Sequence, residues 1–161
     1  MALRIIITGG TFDKKYDAIK GILSFSDTHL PEIMEQVRCT VPYTIELNQL
    51  KDSLDMDDAD RKKVLESCAR ASEESIVLTH GTDTMVQTAE VLGKAQLLKT
   101  IVLTGAMVPY SVQGSDALFN LGAAIFASTV LPHGVYIVMN GKYNQWDKVT
   151  KNRQRGVFES L

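Results

Sequence analysis

A chain of 161 residues is long enough for one domain with a well-filled core and too short for two ordinary domains. Its apolar fraction of 45% and charged fraction of 22% are typical of a soluble globular protein. The formal net charge of −2 removes the usual electrostatic argument for nucleic acid or an anionic membrane surface as a partner, so we expect neither.

The termini and the cysteines predict a cytoplasmic protein. No apolar stretch is long enough to span a bilayer, and the chain begins with a strand-like run where a secretory signal peptide would have a long apolar segment. Cys39 and Cys68 stand alone and are interpreted as reduced thiols. Neither the cysteines nor the three histidines have the spacing of metal ligands, so we expect no metal site.

Five apolar, β-branched runs alternate with helix-like segments along the chain. Continuous apolar runs are typical of strands buried on both faces of a parallel sheet. Strands that alternate with helices indicate βαβ units with right-handed crossovers. The sequence therefore predicts an α/β domain with three α/β/α layers and a mostly parallel sheet of Rossmann-like or flavodoxin-like type. The predicted strands are Leu3 to Thr8, Thr44 to Leu47, Ser75 to Thr79, Thr100 to Thr104 and Gly134 to Met139.

Four segments between these runs have helical spacing and a polar residue suited to cap their first turn. The first is predicted to begin at Asp27 or Thr28 and to extend to about Val37. The second is capped by Asp57. The other two begin near Thr82 or Asp83 and near Asp116, and the last ends at about Val130.

Two regions depart from the alternation of strands and helices. Residues Thr11 to Phe25 are mixed in polarity and predict either a short β-hairpin or a flap over the end of the sheet. After the turn at Asn140-Gly141, short strand-like pieces lie around Lys148 to Lys151 and Gly156 to Phe158.

Two threonine-rich turns each follow an apolar run, Thr8-Gly9-Gly10-Thr11 and Thr79-His80-Gly81-Thr82-Asp83-Thr84. Glycine lets the backbone approach a ligand closely because it has no Cβ, and threonine supplies a hydroxyl. Ligands of open α/β sheets bind at the carboxyl ends of the strands, so the pair of turns predicts a pocket there. The alternative is that both are tight connections with threonine caps, which we favour for the first turn taken alone.

Thr11 is a candidate nucleophile, because its hydroxyl would lie among backbone N–H groups able to stabilise an oxyanion. Thr82 and Asp83 either cap a helix or face a ligand, in which case the carboxylate can hold the ammonium of an amino acid. Lys151 is a solvated surface lysine or, if desolvated near such groups, a proton acceptor. Ser53 either binds a carboxylate or forms a turn. His80 is predicted to form a hydrogen bond with the backbone.

A nucleotide-binding interpretation of the first turn fails on two points. There is no G-x-G-x-x-G pattern, and the residues after Thr11 are charged and hairpin-like where that fold would begin a helix.

With these motifs in view, the sequence resembles the bacterial-type L-asparaginase/glutaminase family across nearly the whole chain. The second threonine turn, extended to Met85, is the most specific match. The matching segments occur in family order and are Ile7 to Thr11, Asp52 to Met56, Thr79 to Met85, Leu103 to Pro109, Ser115 to Leu121 and Val149 to Lys151.

The resemblance implies an amidohydrolase that converts asparagine, or a related small amide, to the acid and ammonia through an acyl-enzyme. By this resemblance Thr11 is the primary nucleophile, and Thr82, Asp83 and Lys151 form a second constellation that supports proton transfer. Asp83 also holds the substrate amine. Tyr16 is assigned to the tyrosine that pairs with the nucleophile, although it lies closer to Thr11 than the family's longer loop would place it.

The same resemblance implies that Ser53 binds the α-carboxylate of the substrate and that the backbone of Ala106 lies along the substrate amide. Gly10 and Gly81 are predicted to line the same pocket. The resemblance implies no metal or organic cofactor, and a homo-oligomer, either dimer or tetramer, that acts on a small molecule.

Two departures from the family leave a second function open. Leu54 stands where many members have a polar residue, and family enzymes are about twice as long. We therefore expect residues 1–161 to form a single asparaginase-like N-terminal domain without the family's C-terminal domain. The alternative to a hydrolase is a non-catalytic module that binds aspartate or asparagine in the retained pocket.

Overall fold

A computed structural model describes all residues from Met1 to Leu161, and its central sheet has six strands. The helices are α1 (Leu30–Gln36), α2 (Asp58–Arg70), α3 (Met85–Lys94) and α4 (Ala117–Val130). The strands are β1 (Leu3–Gly9), β2 (Lys15–Asp17), β3 (Ile22–Ser24), β4 (Tyr43–Lys51), β5 (Ser75–Thr79), β6 (Thr100–Thr104), β7 (Gly134–Met139), β8 (Lys142–Gln145), β9 (Val149–Asn152) and β10 (Val157–Ser160).

The sheet has the order β4-β1-β5-β6-β7-β8, in which the first five strands are parallel and β8 is antiparallel to β7. Numbered by their order along the chain, the parallel strands are arranged 2-1-3-4-5, the flavodoxin-like order. The direction of winding reverses between β1 and β5. In such sheets a ligand binds at the carboxyl ends of the two strands that flank this reversal. Those ends lead directly into the two threonine-rich turns.

Side chains that alternate along the strands fill a separate core on each face of the sheet. Ile6 and Leu78 face the side covered by α2 and α3, whereas Ile5 and Val77 face the side covered by α1 and α4. This arrangement confirms the predicted three-layer α/β/α architecture. It also explains why the parallel strands have continuous apolar sequences, since both of their faces are buried.

The helix starts show where local capping decided the structure and where it did not. Asp57 caps α2 as predicted, in a capping box with Asp60. The prediction for α3 was wrong, because that helix begins at Met85 after Thr84. Thr82 and Asp83 do not cap it, since their side chains turn to a lysine from another segment.

Two antiparallel hairpins stand apart from the central sheet. The N-terminal hairpin, β2 with β3, fulfils the hairpin alternative predicted for the region after Thr11. Its base is held by Asp13, whose Oδ1 accepts hydrogen bonds from the Thr28 hydroxyl at 3.0 Å and the His29 N–H at 2.9 Å. The C-terminal hairpin, β9 with β10, corresponds to the predicted strand pieces near the end of the chain.

The fold contains neither a membrane-spanning helix nor a cluster of metal-ligating side chains. No helix combines the length and the apolar composition that crossing a bilayer requires. No three His, Cys, Asp or Glu side chains lie together in a way that could bind a metal ion.

Candidate active site

The two threonine-rich turns are in direct backbone contact at the carboxyl edge of the sheet. Gly10 has a φ of 78°, and a Cβ there would collide with the backbone of Gly81. A Cβ on Gly81 would in turn lie 2.6 Å from the Ser53 Cβ, which is too close for any real contact. Glycine is required at both positions because three segments of chain meet there. Thr11, Thr82 and Ser53 are thereby brought to the same part of the sheet edge.

Lys151 binds both polar side chains of the second turn. Its Nζ donates to Thr82 Oγ1 at 2.8 Å and to Asp83 Oδ1 at 2.7 Å. The Lys151 side chain is only 9% exposed, whereas that of Asp83 is 37% exposed. An ammonium group can only donate, so the Thr82 oxygen accepts and the hydroxyl proton stays available to another acceptor. Asp83 keeps carboxylate surface in contact with solvent, where a cation can reach it.

The C-terminal hairpin carries Lys151 to this position. Val149 and Phe158 of the hairpin are buried in the core on the α2 and α3 side of the sheet. Arg153, in the turn of the hairpin, donates from Nη2 to the backbone oxygen of Asp83 at 3.2 Å. The hairpin therefore contacts the second threonine turn through two side chains, Lys151 and Arg153.

Ser53 lies in a short 3-10 turn after β4 and is almost completely buried. Its Oγ accepts the N–H of Thr84 at 3.2 Å, and its backbone oxygen accepts the Thr84 hydroxyl at 2.7 Å. Asp52 precedes it and is paired with Lys14 at 2.6 Å. The hydrogen bond from Lys14 lowers the pKa of the Asp52 carboxyl below its usual 3.8. These contacts fix the serine turn to the second threonine turn and to Lys14, three residues after the first threonine turn.

Ala106 is buried in the loop that follows β6, and Asp116 fixes this loop. The Asp116 carboxylate accepts the N–H groups of Met107 and Val108, both at 3.0 Å. Burial opposes the ionisation of Asp116, but these backbone donors outweigh it and hold the pKa of the carboxyl below 3.8. The charged form of Asp116 therefore stabilises the conformation of the Ala106 loop.

Two asparagines extend the network around Asp116. Asn120 donates from Nδ2 to the backbone oxygen of Gly105 and to Asp116 Oδ2, both at 2.9 Å. The Nδ2 of Asn140, after β7, donates to Asp116 Oδ2 at 3.1 Å, and its N–H donates to Asn120 Oδ1 at 2.9 Å. The ends of β6 and β7 and the start of α4 are joined in this way. The sequence indicates Asp116 only as a helix start within the matching segment Ser115 to Leu121 and Asn140 only as part of a turn, and it assigns no contact to Asn120.

His80 holds the second threonine turn from inside the protein. Its Nδ1 lies 2.7 Å from the Gly81 oxygen and its Nε2 lies 2.8 Å from Thr88 Oγ1. A carbonyl oxygen only accepts, so Nδ1 carries the proton and Nε2 accepts the Thr88 hydroxyl. Complete burial lowers the pKa of His80 to about 4, so the ring is neutral at pH 7. Its partners are one backbone oxygen, as expected, and one additional side chain.

Thr11 and Tyr16 are the least constrained of the predicted catalytic residues. Thr11 is half-buried at the start of a 3-10 turn, directly after the contact between Gly10 and Gly81, and its hydroxyl makes no hydrogen bond to the protein. Tyr16 lies on β2, where its side chain is 65% exposed and its hydroxyl has no partner. The structure thus gathers the other predicted residues at the sheet edge and leaves Tyr16 on the surface of the N-terminal hairpin.

The sequence matches the model of the N-terminal domain of asparaginases over residues 2–160. The chain belongs to the asparaginase family. It is 33% identical over 153 residues to a glutamyl-tRNA(Gln) amidotransferase subunit of Aeropyrum pernix, an alignment that covers 86% of this chain and 34% of that protein. It is also 33% identical over 138 residues to an L-asparaginase of Dirofilaria immitis, covering 81% of this chain and 23% of the relative.

A solved structure agrees with the assignment to the asparaginase family. The thermostable L-asparaginase of Thermococcus kodakarensis superposes on the whole of this chain with a TM-score of 0.86 and 26% identity. The superposition covers 51% of that enzyme. The family resemblance and the α/β fold class are thereby confirmed. The chain spans about half of this structural relative and smaller parts of the two relatives compared by sequence.

Proposed function

We propose that this asparaginase-family chain hydrolyses the side-chain amide of asparagine, or of a related small amide, to the acid and ammonia. The observation that carries the proposal is the buried Lys151 ammonium held against both Thr82 and Asp83, beside the turn that bears Thr11. A threonine nucleophile needs a group nearby that removes its proton. The Thr82 hydroxyl can relay that proton, and the fixed Lys151 ammonium stabilises the charge that develops on it.

The proposed reaction has two balanced steps. The Thr11 Oγ attacks the amide carbon, so that a C–O bond forms and the hydroxyl proton passes to the Thr82 oxygen. Thr82 hands its own proton on toward the amide nitrogen, while the Lys151 ammonium, which can only donate, stabilises the negative charge that develops on the Thr82 oxygen. The C–N bond then breaks, and the nitrogen takes a proton and leaves as ammonia. Water attacks the resulting ester, which releases the acid and returns the proton to Thr11. The N–H of Gly10 donates to the Lys51 oxygen at 2.9 Å, so backbone N–H groups after Gly10 would stabilise the oxyanion of both steps.

Substrate binding is proposed to use the fixed groups around this centre. The solvent-facing part of the Asp83 carboxylate would hold the substrate ammonium through a charge-assisted hydrogen bond. Ser53 uses its oxygen to accept the Thr84 N–H, so its hydroxyl proton is free to donate to the α-carboxylate. The Ala106 backbone would lie along the amide. Gly10 and Gly81 allow the ligand to approach the main chain.

The amide of glutamine is a second candidate substrate. The similarity to a glutamyl-tRNA(Gln) amidotransferase subunit favours including it, because that protein is as similar in sequence as the L-asparaginase relative. Asparagine and glutamine differ by one methylene, which a pocket discriminates by roughly 10- to 200-fold. Initial rates of ammonia release from asparagine and from glutamine at matched concentrations therefore show which substrate the chain prefers.

A module that binds amino acids without turnover remains the second candidate function. Leu54, which replaces a polar residue, is 62% exposed, and the hydroxyl of Tyr16 has no partner. Both features would leave a bound ligand open to water. In calorimetry, binding of aspartate without any amide turnover would support this function over hydrolysis. The homo-oligomer and the cytoplasmic location stay predictions.

The test is ammonia release from asparagine and glutamine by the 161-residue chain, compared with Thr11→Ala and Thr11→Ser. We expect turnover by the wild type, loss of at least about 10³-fold in Thr11→Ala and partial retention in Thr11→Ser, which keeps a hydroxyl. Equal rates for the wild type and Thr11→Ala would contradict the proposal.

A further inference from the structure

The strands of the hairpin that carries Lys151 pair only with each other and with no strand of the central sheet. Backbone hydrogen bonds to the sheet therefore do not set its position. Val149 and Phe158 bury it in the core on the α2 and α3 side of the sheet, with β9 beside α3, but apolar contacts are non-directional and do not define how far the hairpin slides along the helix. Two polar contacts hold the hairpin elsewhere, from Arg153 to the Asp83 oxygen and from Ser160 to Asn144 of β8 at 2.9 Å, but neither lies at the far end of α3.

Trp146 supplies such a contact at the opposite end of α3. It is the only tryptophan of the chain. Its backbone N–H donates to the backbone oxygen of Val135 at 3.1 Å, which ties the residue to the sheet. Its indole lies so close to Gly93 in the last turn of α3 that a Cβ on Gly93 would collide with three atoms of the ring. Glycine weakens a helix, and here its missing side chain makes room for the indole.

The segment from Trp146 to Lys151 is long enough to connect the two ends of α3. From Met85 to Gly93 the helix rises about 12 Å, at 1.5 Å per residue. From Trp146 to Lys151 an extended chain reaches at most about 17 Å. The first part of the segment is a turn, in which the N–H of Lys148 donates to the Gln145 oxygen at 3.0 Å, and β9 then lies beside α3 and carries Lys151 to the other end of the helix.

We propose that Trp146 and Gly93 are positioning residues that set the register of the C-terminal hairpin on α3, and so place the Lys151 ammonium between Thr82 and Asp83. Neither residue touches the proposed substrate site. They act through Lys151. This inference rests on the proposed function for its kinetic consequences, whereas its geometric content can be tested without turnover.

The decisive variant is Gly93→Ala, whose methyl group displaces the indole. Its matched control is Gly122→Ala, the same change inside α4, where the added Cβ meets nothing within 4 Å. We expect Gly93→Ala to lower kcat for ammonia release by about 10- to 100-fold with little change in KM, because misplacement of a catalytic group by about 1 Å has an effect of this size. Gly122→Ala should keep the wild-type kcat.

Combining Gly93→Ala with Trp146→Phe provides the rescue. The smaller ring leaves room for the methyl group, so the double variant should recover most of the kcat that Gly93→Ala loses. Trp146→Phe alone should lower kcat by only about threefold to tenfold, and it serves as the second variant if Gly93→Ala does not fold. Equal kcat values for Gly93→Ala, Trp146→Phe and the wild type would overturn the proposal.

NMR of the lysine ammonium groups tests the geometry even if the wild type shows no amidase activity. Lys151→Arg assigns the Lys151 resonance. We expect this resonance to shift in Gly93→Ala, to stay at its wild-type position in Gly122→Ala and to return toward that position in the double variant. An unchanged Lys151 resonance in Gly93→Ala would overturn the positioning role, whereas a shifted resonance without amidase activity would overturn only the proposed function.

Discussion

The turn that carries Thr82 and Asp83 and the N-terminal hairpin that carries Tyr16 both leave the carboxyl edge of the sheet, but they are held very differently. In the turn, His80 is fully buried and both of its ring nitrogens are paired, while Lys151 binds the two site residues. In the hairpin, Ile19 is 99% exposed, and the two strands pair only with each other.

This difference separates two tasks that the proposed amidase reaction requires. Groups that exchange a proton need fixed distances, and the buried turn supplies them before any ligand binds. A segment that covers a ligand must let it enter first, and such segments are typically exposed loops or hairpins attached at their base. The hairpin is attached in this way by the hydrogen bonds of Asp13 and the Lys14–Asp52 ion pair. We therefore expect chemistry to depend steeply on the turn and weakly on the hairpin.

The largest effect is expected for Lys151→Met, which removes the only charged partner of Asp83. We expect kcat/KM for ammonia release to fall by at least about 10³-fold, equivalent to about 4 kcal/mol of transition-state stabilisation. The control is Lys148→Met, an exposed lysine just before the same hairpin. A rate for Lys151→Met within about tenfold of the wild type would remove the distinction between the two regions.

The next effect is a loss of stability in acid, caused by His80. The pKa of this histidine is about 4 in the folded chain and ordinarily 6.5, so the unfolded state binds a proton that the folded state does not. Stability should fall as the pH drops from about 6.5 to about 4, by up to about 3 kcal/mol at 1.36 kcal/mol per pH unit.

Urea unfolding at a series of pH values measures this effect in the wild type and in His80→Gln, which removes the titrating group. His133→Gln replaces a half-exposed histidine and serves as the control. The same pH dependence in His80→Gln and the wild type would show that the buried imidazole is not the cause.

Asp116→Asn should have a smaller effect that sharpens the comparison, because Asp116 fixes the Ala106 loop without touching the proposed proton relay. Loss of an anionic acceptor for two backbone N–H groups should lower kcat/KM by about 10- to 100-fold and stability by about 1–3 kcal/mol. Since the pKa of Asp116 lies below 3.8 in the folded state, this stability is present above pH 3.8 and is lost as the pH falls through the folded value.

Ammonia release and urea unfolding of Asp116→Asn, measured beside those of Asp147→Asn, give both quantities. Asp147 is exposed and its carboxylate makes no hydrogen bond, so the control should behave as the wild type. Activity and stability of Asp116→Asn at the level of the control would show that the loop needs no carboxylate.

The smallest effect is expected for Tyr16→Phe. An exposed side chain without partners contributes little to folding, so the unfolding free energy should change by less than about 0.5 kcal/mol. If the hairpin covers the ligand as we expect, kcat should fall by no more than about tenfold. The control is Tyr43→Phe at the edge strand β4. A fall as large as that of Lys151→Met would place Tyr16 inside the chemistry and contradict the division of tasks.

The sequence predicted those parts of the fold that local chemistry determines. The strands were visible because burial on both faces demands an apolar run, and the start of α2 was visible because Asp57 caps it through a contact with Asp60. By contrast β8, with the sequence KYNQ, was missed because an edge strand of mixed polarity lacks that pattern. The Asn140-Gly141 turn before β8 was the one local indication that a further strand follows β7.

The sequence predicted which residues form the candidate site, but not the contacts that hold those residues in place. Matching motifs pointed to the threonines and to Lys151, since each lies in a short specific segment. The contacts of Asp116 with Met107 and Val108 span nine and eight residues of irregular loop, and the contact of Trp146 with Gly93 joins residues 53 positions apart. No local periodicity encodes such pairs, so only the folded structure shows them.

The central claim is that Thr11 forms the covalent intermediate at a site whose proton relay is Thr82 and Lys151. Mass spectrometry of the chain, mixed with asparagine and quenched in acid within the first turnover, tests it directly. The account predicts a peptide containing Thr11 that is heavier by one aspartyl group in the wild type and unmodified in Thr11→Ala. Acylation of a peptide containing Thr82 in both proteins, or hydrolysis without any acylated peptide, would contradict it.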